Sequence, residues 1–125
     1  MHFLRLVPML ETPHIAETIA FYTEKLGFIC LGKDEELGWA NLSKDGASIM
    51  FSLPNAHHDF QQPHFTGSLY FYTDQVDLLW DKLRLSTRVS YEIETFEYGM
   101  REFAIYDNNG YLLQFGQSVE VAVKS

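Results

Sequence analysis

Residues 15–53, IAETIAFYTEKLGFICLGKDEELGWANLSKDGASIMFSL, contain one structural module in miniature. Ile15, Ile19, Tyr22 and Leu26 recur at helical spacing, with Glu17 and Glu24 off that line, and Gly27 supplies the stop. Phe28–Leu31 is a short apolar strand. Gly38–Ser43 is a second, and Ala47–Leu53 a third, the last two joined by the turn Lys44-Asp45-Gly46. Upstream, Phe3–Leu10 alternates loosely and is expected to form a first strand that ends near Pro8. Thr12 is placed to cap the helix and Pro13 to begin it.

After the stretch 54–65, which has two prolines and three histidines, the order repeats. Ser68–Thr73 reads as a strand. Val76, Leu79, Trp80 and Leu83 mark a short helix. Val89–Thr95 alternates Val89, Tyr91 and Ile93 with Ser90, Glu92 and Glu94. Arg101–Tyr106 and Tyr111–Phe115 flank the turn Asp107-Asn108-Asn109-Gly110. Glu24-Lys25-Leu26-Gly27-Phe28 parallels Asp81-Lys82-Leu83-Arg84-Leu85. Aligning Gly46 with Gly110 sets Ala40 over Ala104, Met50 over Gln114 and Phe51 over Phe115. The expected architecture is α+β. Two βαβββ modules (1–55 and 66–119, linker 54–65) share one domain, 1–125, as a curved mixed-sheet cup with helices outside.

Bulk properties exclude several functions. The 125 residues carry nine Lys+Arg against 17 Asp+Glu, a net charge of −8, which argues against a nucleic-acid partner. The apolar start, Met1–Leu10, is too short to span a membrane and lacks a signal-peptide cleavage site. The single cysteine, Cys30, lies in an apolar run and reads as an inert thiol in a reducing, cytoplasmic setting. No nucleophile elbow, phosphate-cradling glycine loop or His-Glu-x-x-His is present. Glu92 and Glu94 read as a solvated face. His57, His58 and His64 read as solvated loop residues, and His14 as part of the helix start.

The segments Pro8-Met9-Leu10 and Ala20-Phe21-Tyr22-Thr23-Glu24-Lys25-Leu26-Gly27-Phe28 resemble the first-module signature of the glyoxalase / bleomycin-resistance / dioxygenase family, the vicinal oxygen chelate superfamily. Tyr98-Gly99-Met100-Arg101-Glu102-Phe103, followed by Asp107-Asn108-Asn109-Gly110, resembles the second-module signature. The resemblance runs from about Leu6 to Gly116 and is closest to the bleomycin-resistance branch. It implies a metal in enzymes of the family, bound from the first and last strands of each module. Those positions fall here at Val7, Met50, Gly67 or Ser68, and Gln114, of which only Gln114 is a credible donor. The expectation is therefore no metal and no cofactor.

Strand alternation sorts the remaining side chains. Leu69 and Phe71 are expected against the helix, with Ser68, Tyr70 and Tyr72 on the open face. Leu112 and Gln114 join them, as do Ser48, Met50 and Ser52 in module one. Trp39, Phe96, Tyr98 and Arg101 are placed at the rim. The candidate ligand-binding set is Trp39, Met50, Ser68, Tyr70, Tyr72, Tyr98, Arg101, Leu112 and Gln114. This lining suits a small aromatic or cationic compound. The resemblance implies a sequestering protein of the drug-binding type and a homodimer. A second reading stays open: a metal-dependent enzyme of the same superfamily, either a lactoylglutathione-lyase-like isomerase or a ring-cleaving dioxygenase. Whether the chain catalyses a reaction is left open by its residues.

Overall fold

The computed structural model describes residues 1–54 and 61–119. The chain divides into two compact units, Met1–Pro63 and His64–Ser125.

In the first unit β1 is Met9–Glu11, α1 Ile15–Ala20, β2 Ile29–Asp34, β3 Trp39–Lys44 and β4 Ala47–Ser52. The sheet order is β1-β4-β3-β2, with β1 parallel to β4 and the other pairs antiparallel. The first strand begins after Pro8 instead of ending there, and it is shorter than the alternation over Phe3–Leu10 suggests. Pro8 has no N–H for a ladder, but its carbonyl accepts from the Met50 N–H at 2.9 Å, and pairing starts there. Phe3, Leu4 and Leu6 lie outside the strand and exposed. α1 runs on into a π-helical turn, Phe21–Lys25, and Gly27 ends it at φ 76°. His14 holds the cap position, and the buried Thr12 hydroxyl accepts from its N–H at 3.0 Å. Apolar residues alternate inward along β3 and β4, so Ala40, Leu42, Ile49 and Phe51 form a core with Ile15, Tyr22 and Leu26 of the helical segment. Cys30 is half-buried, its thiol directed to the Gly32 carbonyl.

The second unit repeats the plan with β5 Leu69–Tyr72, α2 Val76–Leu83, β6 Arg88–Thr95, β7 Met100–Tyr106 and β8 Leu112–Ser118, in the order β5-β8-β7-β6. Both units are βαβββ, as the repeat implies. Phe71 stacks on Phe115, Phe115 on Phe103, and Trp80 of α2 packs against Phe103. That face is the core side. The N–H of Val76 finds its partner far along the chain, in the Gln117 side chain at 3.0 Å.

The internal alignment needs one correction. Phe51 pairs with Ala40, whereas Phe115 pairs with Phe103. Ala40 therefore corresponds to Phe103, and Asn41 to Ala104. The equivalent pairs Ser43–Ser48 and Tyr106–Leu112 enclose residues 44–47 in the first hairpin and 107–111 in the second, and this one extra residue shifts the preceding strand by one. In the longer turn Asp107 Oδ1 accepts from the N–H groups of Asn109, Gly110 and Tyr111, which fixes the loop without a regular two-residue turn.

Candidate functional site

The open face of the second sheet, opposite Phe103 and Phe115, carries a continuous polar chain. The Ser68 hydroxyl donates to Gln114 Oε1 at 2.5 Å. Gln114 Nε2 donates to the Tyr91 hydroxyl at 2.8 Å. Tyr91 donates to Glu102 Oε2, and Tyr70 donates to Glu102 Oε1 at 2.9 Å. Glu102 is only 2% exposed. Each of its two oxygens thus accepts from a phenol hydroxyl.

Backbone devices bring these groups together. Tyr70 sits on β5 opposite Gln114, and β8 separates it from Glu102 on β7. Its hydroxyl reaches across β8 at Gly116, where an added Cβ would lie 1.9 Å from the phenol oxygen. Gly116 thus leaves the opening through which Tyr70 meets the carboxylate. On β6 the register shifts twice, between Val89 and Tyr91 and between Tyr91 and Glu94. Such bulges re-aim side chains. They set Tyr91 opposite Ala104 and Glu94 opposite Glu102.

Beside this chain lies an open groove of about 360 Å³, lined by Tyr91, Glu94, Phe96, Tyr98, Glu102 and Gln114. The β6–β7 turn is closed by hydrogen bonds from Phe96 N–H to the Met100 carbonyl and from Gly99 N–H to the Phe96 carbonyl, with Gly99 at φ 85°. It holds Tyr98 flat on Phe96, centroids 5.4 Å apart and planes within 8°. Burial, and then the hydrogen bond to Glu102, push the Tyr91 phenol up to about 12. The same two causes raise Tyr70 further and raise the more exposed Tyr98.

A model of the Glyoxalase/Bleomycin resistance protein/Dioxygenase superfamily matches residues 3–115. The chain belongs to this superfamily. Solved structures share the fold of this glyoxalase-superfamily chain at low identity. TioX from Micromonospora sp. ML1 is 16% identical, covering 92% of this chain and 98% of that one, with a TM-score of 0.76. A glyoxalase/bleomycin resistance protein/dioxygenase from Nocardioides is 13% identical, covering 100% and 90%, with a TM-score of 0.76. A lactoylglutathione lyase from Agrobacterium tumefaciens is 16% identical, covering 91% and 93%, with a TM-score of 0.70. No curated protein matches the chain.

The positions that the family resemblance assigns to metal ligands, Val7, Met50, Gly67 or Ser68, and Gln114, hold poor donors. Val7 is alkyl and Met50 offers a thioether. Ser68 and Gln114 are bonded to each other, so the amide oxygen is already engaged. Hard divalent cations take several oxygen or nitrogen ligands, and the alkyl and thioether side chains at these positions of the first unit supply none. Among the described residues no three His, Cys, Asp or Glu side chains cluster. His57, His58 and Asp59 lie outside the described residues, and His64 is exposed.

Of the residues singled out from sequence, Ser68, Tyr70 and Gln114 join the polar chain and Tyr98 lines the groove. Tyr72 packs its ring on Tyr70 at 5.1 Å but is 80% exposed. Leu112 pairs with Tyr106 at the far end of β8. Arg101 is not brought to the groove. It points to the side of α2, where Nε and Nη2 bind the Asp77 carboxylate at 2.8–3.1 Å and Nη1 reaches Thr95. Trp39 and Met50 belong to the first unit, where the Trp39 ring lies over Gly32 and Met50 pairs with Met9 and Asn41. Tyr91, Glu94 and Glu102 were missing from the sequence-derived set. Glu94 is exposed as expected, but it lines the groove as well. Alternation about Phe103 and Ile105 already places Glu102 on the face of Gln114. The bulges that aim Tyr91 and Glu94 leave no comparable trace in the sequence.

Proposed function

We propose that this chain is a small-molecule-binding protein that sequesters an aromatic or cationic compound without a catalytic metal. One observation carries the reading: a groove of about 360 Å³ walled by the stacked pair Phe96–Tyr98 and floored by a buried, phenol-bound carboxylate. Stacked rings offer a flat apolar wall, and a fixed anion orients a polar ligand against it. Tyr91, Tyr98, Glu102 and Gln114 are the contact residues, with Ser68 and Tyr70 positioning them. The donor chemistry at Val7, Met50, Ser68 and Gln114 supports the metal-free state. Homodimer formation and a cytoplasmic location are part of the same proposal. They rest on what the family resemblance and the cysteine content imply.

A thermal-shift screen of planar aromatic compounds, run with and without excess chelator, tests it. Saturable stabilisation that is indifferent to chelator is expected. About one tightly held divalent metal per chain, with ligand stabilisation abolished by chelator, would move the reading to a metal-dependent lyase or dioxygenase.

A further inference from the structure

The groove's hydrogen-bonding inventory narrows its ligand. The groove's inner hydroxyl and most of its amide are committed within the protein. The Tyr91 hydroxyl donates to Glu102, while the exposed Tyr98 hydroxyl stands at the open side of the groove. Gln114 spends one amide hydrogen on Tyr91 and its carbonyl on Ser68. Glu94 and Glu102 are acceptors throughout, and they face each other across β6 and β7. The lining then offers a ligand many acceptor lone pairs against two donors, the second amide hydrogen of Gln114 and the outer Tyr98 hydroxyl. It also carries two carboxylates and no Lys, Arg or His. Arg101, the neighbouring cation on β7, is held by Asp77 on the other face of the sheet. Like charges set opposite each other destabilise a strand pair unless something neutralises them.

We infer that the groove is a site for a protonated amine attached to a planar aromatic group, with the ammonium donating to Glu94 and Glu102 and the ring lying against Phe96 and Tyr98. The inference rests on the small-molecule reading above and goes further by fixing the charge and donor character of the ligand. A quaternary ammonium would satisfy the charge but supply no N–H to the acceptors. A carboxylate would meet two anions.

Four probes of similar shape separate these possibilities by isothermal titration calorimetry: tryptamine, N,N,N-trimethyltryptammonium, 3-ethylindole and indole-3-propionate. Tryptamine is expected to bind tightest, about tenfold or more above 3-ethylindole, because the pairing is with a desolvated carboxylate. Its affinity is expected to fall with added salt. The trimethylated cation is expected between the two, and the propionate last. Glu102→Gln keeps an acceptor oxygen for one phenol and offers an amide N–H to the other, whose hydroxyl can turn to accept it, and is expected to erase most of tryptamine's advantage. Glu94→Gln sits at an exposed position that cannot unfold the core, and is expected to narrow the advantage by about threefold. Equal binding of tryptamine and 3-ethylindole would overturn the cation and leave the small-molecule reading standing. Equal binding of tryptamine and its trimethyl analogue would overturn the requirement for N–H donors. Binding of none of the four would overturn both.

Discussion

The two units are one design filled in two ways. Their registers give a position-by-position correspondence on the open faces: Met9 with Tyr70, Met50 with Gln114, Ser52 with Gly116, Trp39 with Glu102 and Gly32 with Tyr91. Even a bulge recurs, at Cys30/Gly32 and at Val89/Tyr91. In the first unit the indole of Trp39 covers Gly32, and a Cβ there would come within 3.4 Å of the ring. In the second unit the large residue has moved to the partner strand. Tyr91 reaches over to a carboxylate at the Trp39 position, and Gly116 opens the way for Tyr70. The same backbone thus carries a largely apolar, half-buried open face on one sheet and a hydrogen-bonded face with a carboxyl group at its centre on the other. The core sides stay apolar in both.

The comparison breaks most sharply at the Trp39/Glu102 pair. Glu102→Ala strands two half-buried phenol donors around a vacated, fully buried carboxyl position and is expected to cost about 3 kcal/mol, read by urea denaturation. Trp39→Ala at the equivalent position loses only half-buried ring contacts and is expected to cost less. Gly116→Ala is next. Its methyl displaces the Tyr70 hydroxyl from Glu102, for an expected loss of about 2 kcal/mol. Ser52→Ala, its counterpart, is expected to be nearly silent. Tyr91→Phe removes one donor to Glu102 and one acceptor for Gln114, and is expected to cost about 1 kcal/mol. Arg101→Met breaks an ion pair that lies outside the network and is largely solvated, so its cost is expected at no more than about 1 kcal/mol, with ligand affinity unchanged.

Tyr91 also gives the comparison a pH signature. Its folded-state pKa, about 12, lies above the ordinary value of 10.0 for a phenol. The stabilisation linked to its proton is therefore complete below pH 10 and is lost as the pH rises through 12. Thermal melts of the wild type are expected to fall over that alkaline window. The Tyr91→Phe variant is expected to fall less steeply, while phenolate absorbance shows one late-titrating tyrosine fewer.

Much of this was legible in the chain and part of it was not. The order βαβββ twice over follows from periodicity, stop glycines and turn residues. Alternation on β5 and β8 placed Ser68, Tyr70 and Gln114 on one face with Phe71 and Phe115 on the other. Pro8 shortened β1 because a missing N–H outweighs a loose apolar alternation. The alignment of Ala40 with Ala104 failed because a turn glycine can be conserved in place while the loop before it changes length. Arg101 could be assigned to ligand or to a carboxylate, and only packing against α2 resolves it in favour of Asp77. The role of Glu102 depends on a glycine in the strand between it and Tyr70 and on bulges in β6, and such long-range coincidences are not written in local pattern.

The most direct test is backbone and side-chain NMR shift mapping during titration with tryptamine. The account expects saturable shifts centred on Tyr91, Phe96, Tyr98, Glu102 and Gln114, lost in Glu102→Gln. Saturable shifts that leave those five residues unmoved would contradict it.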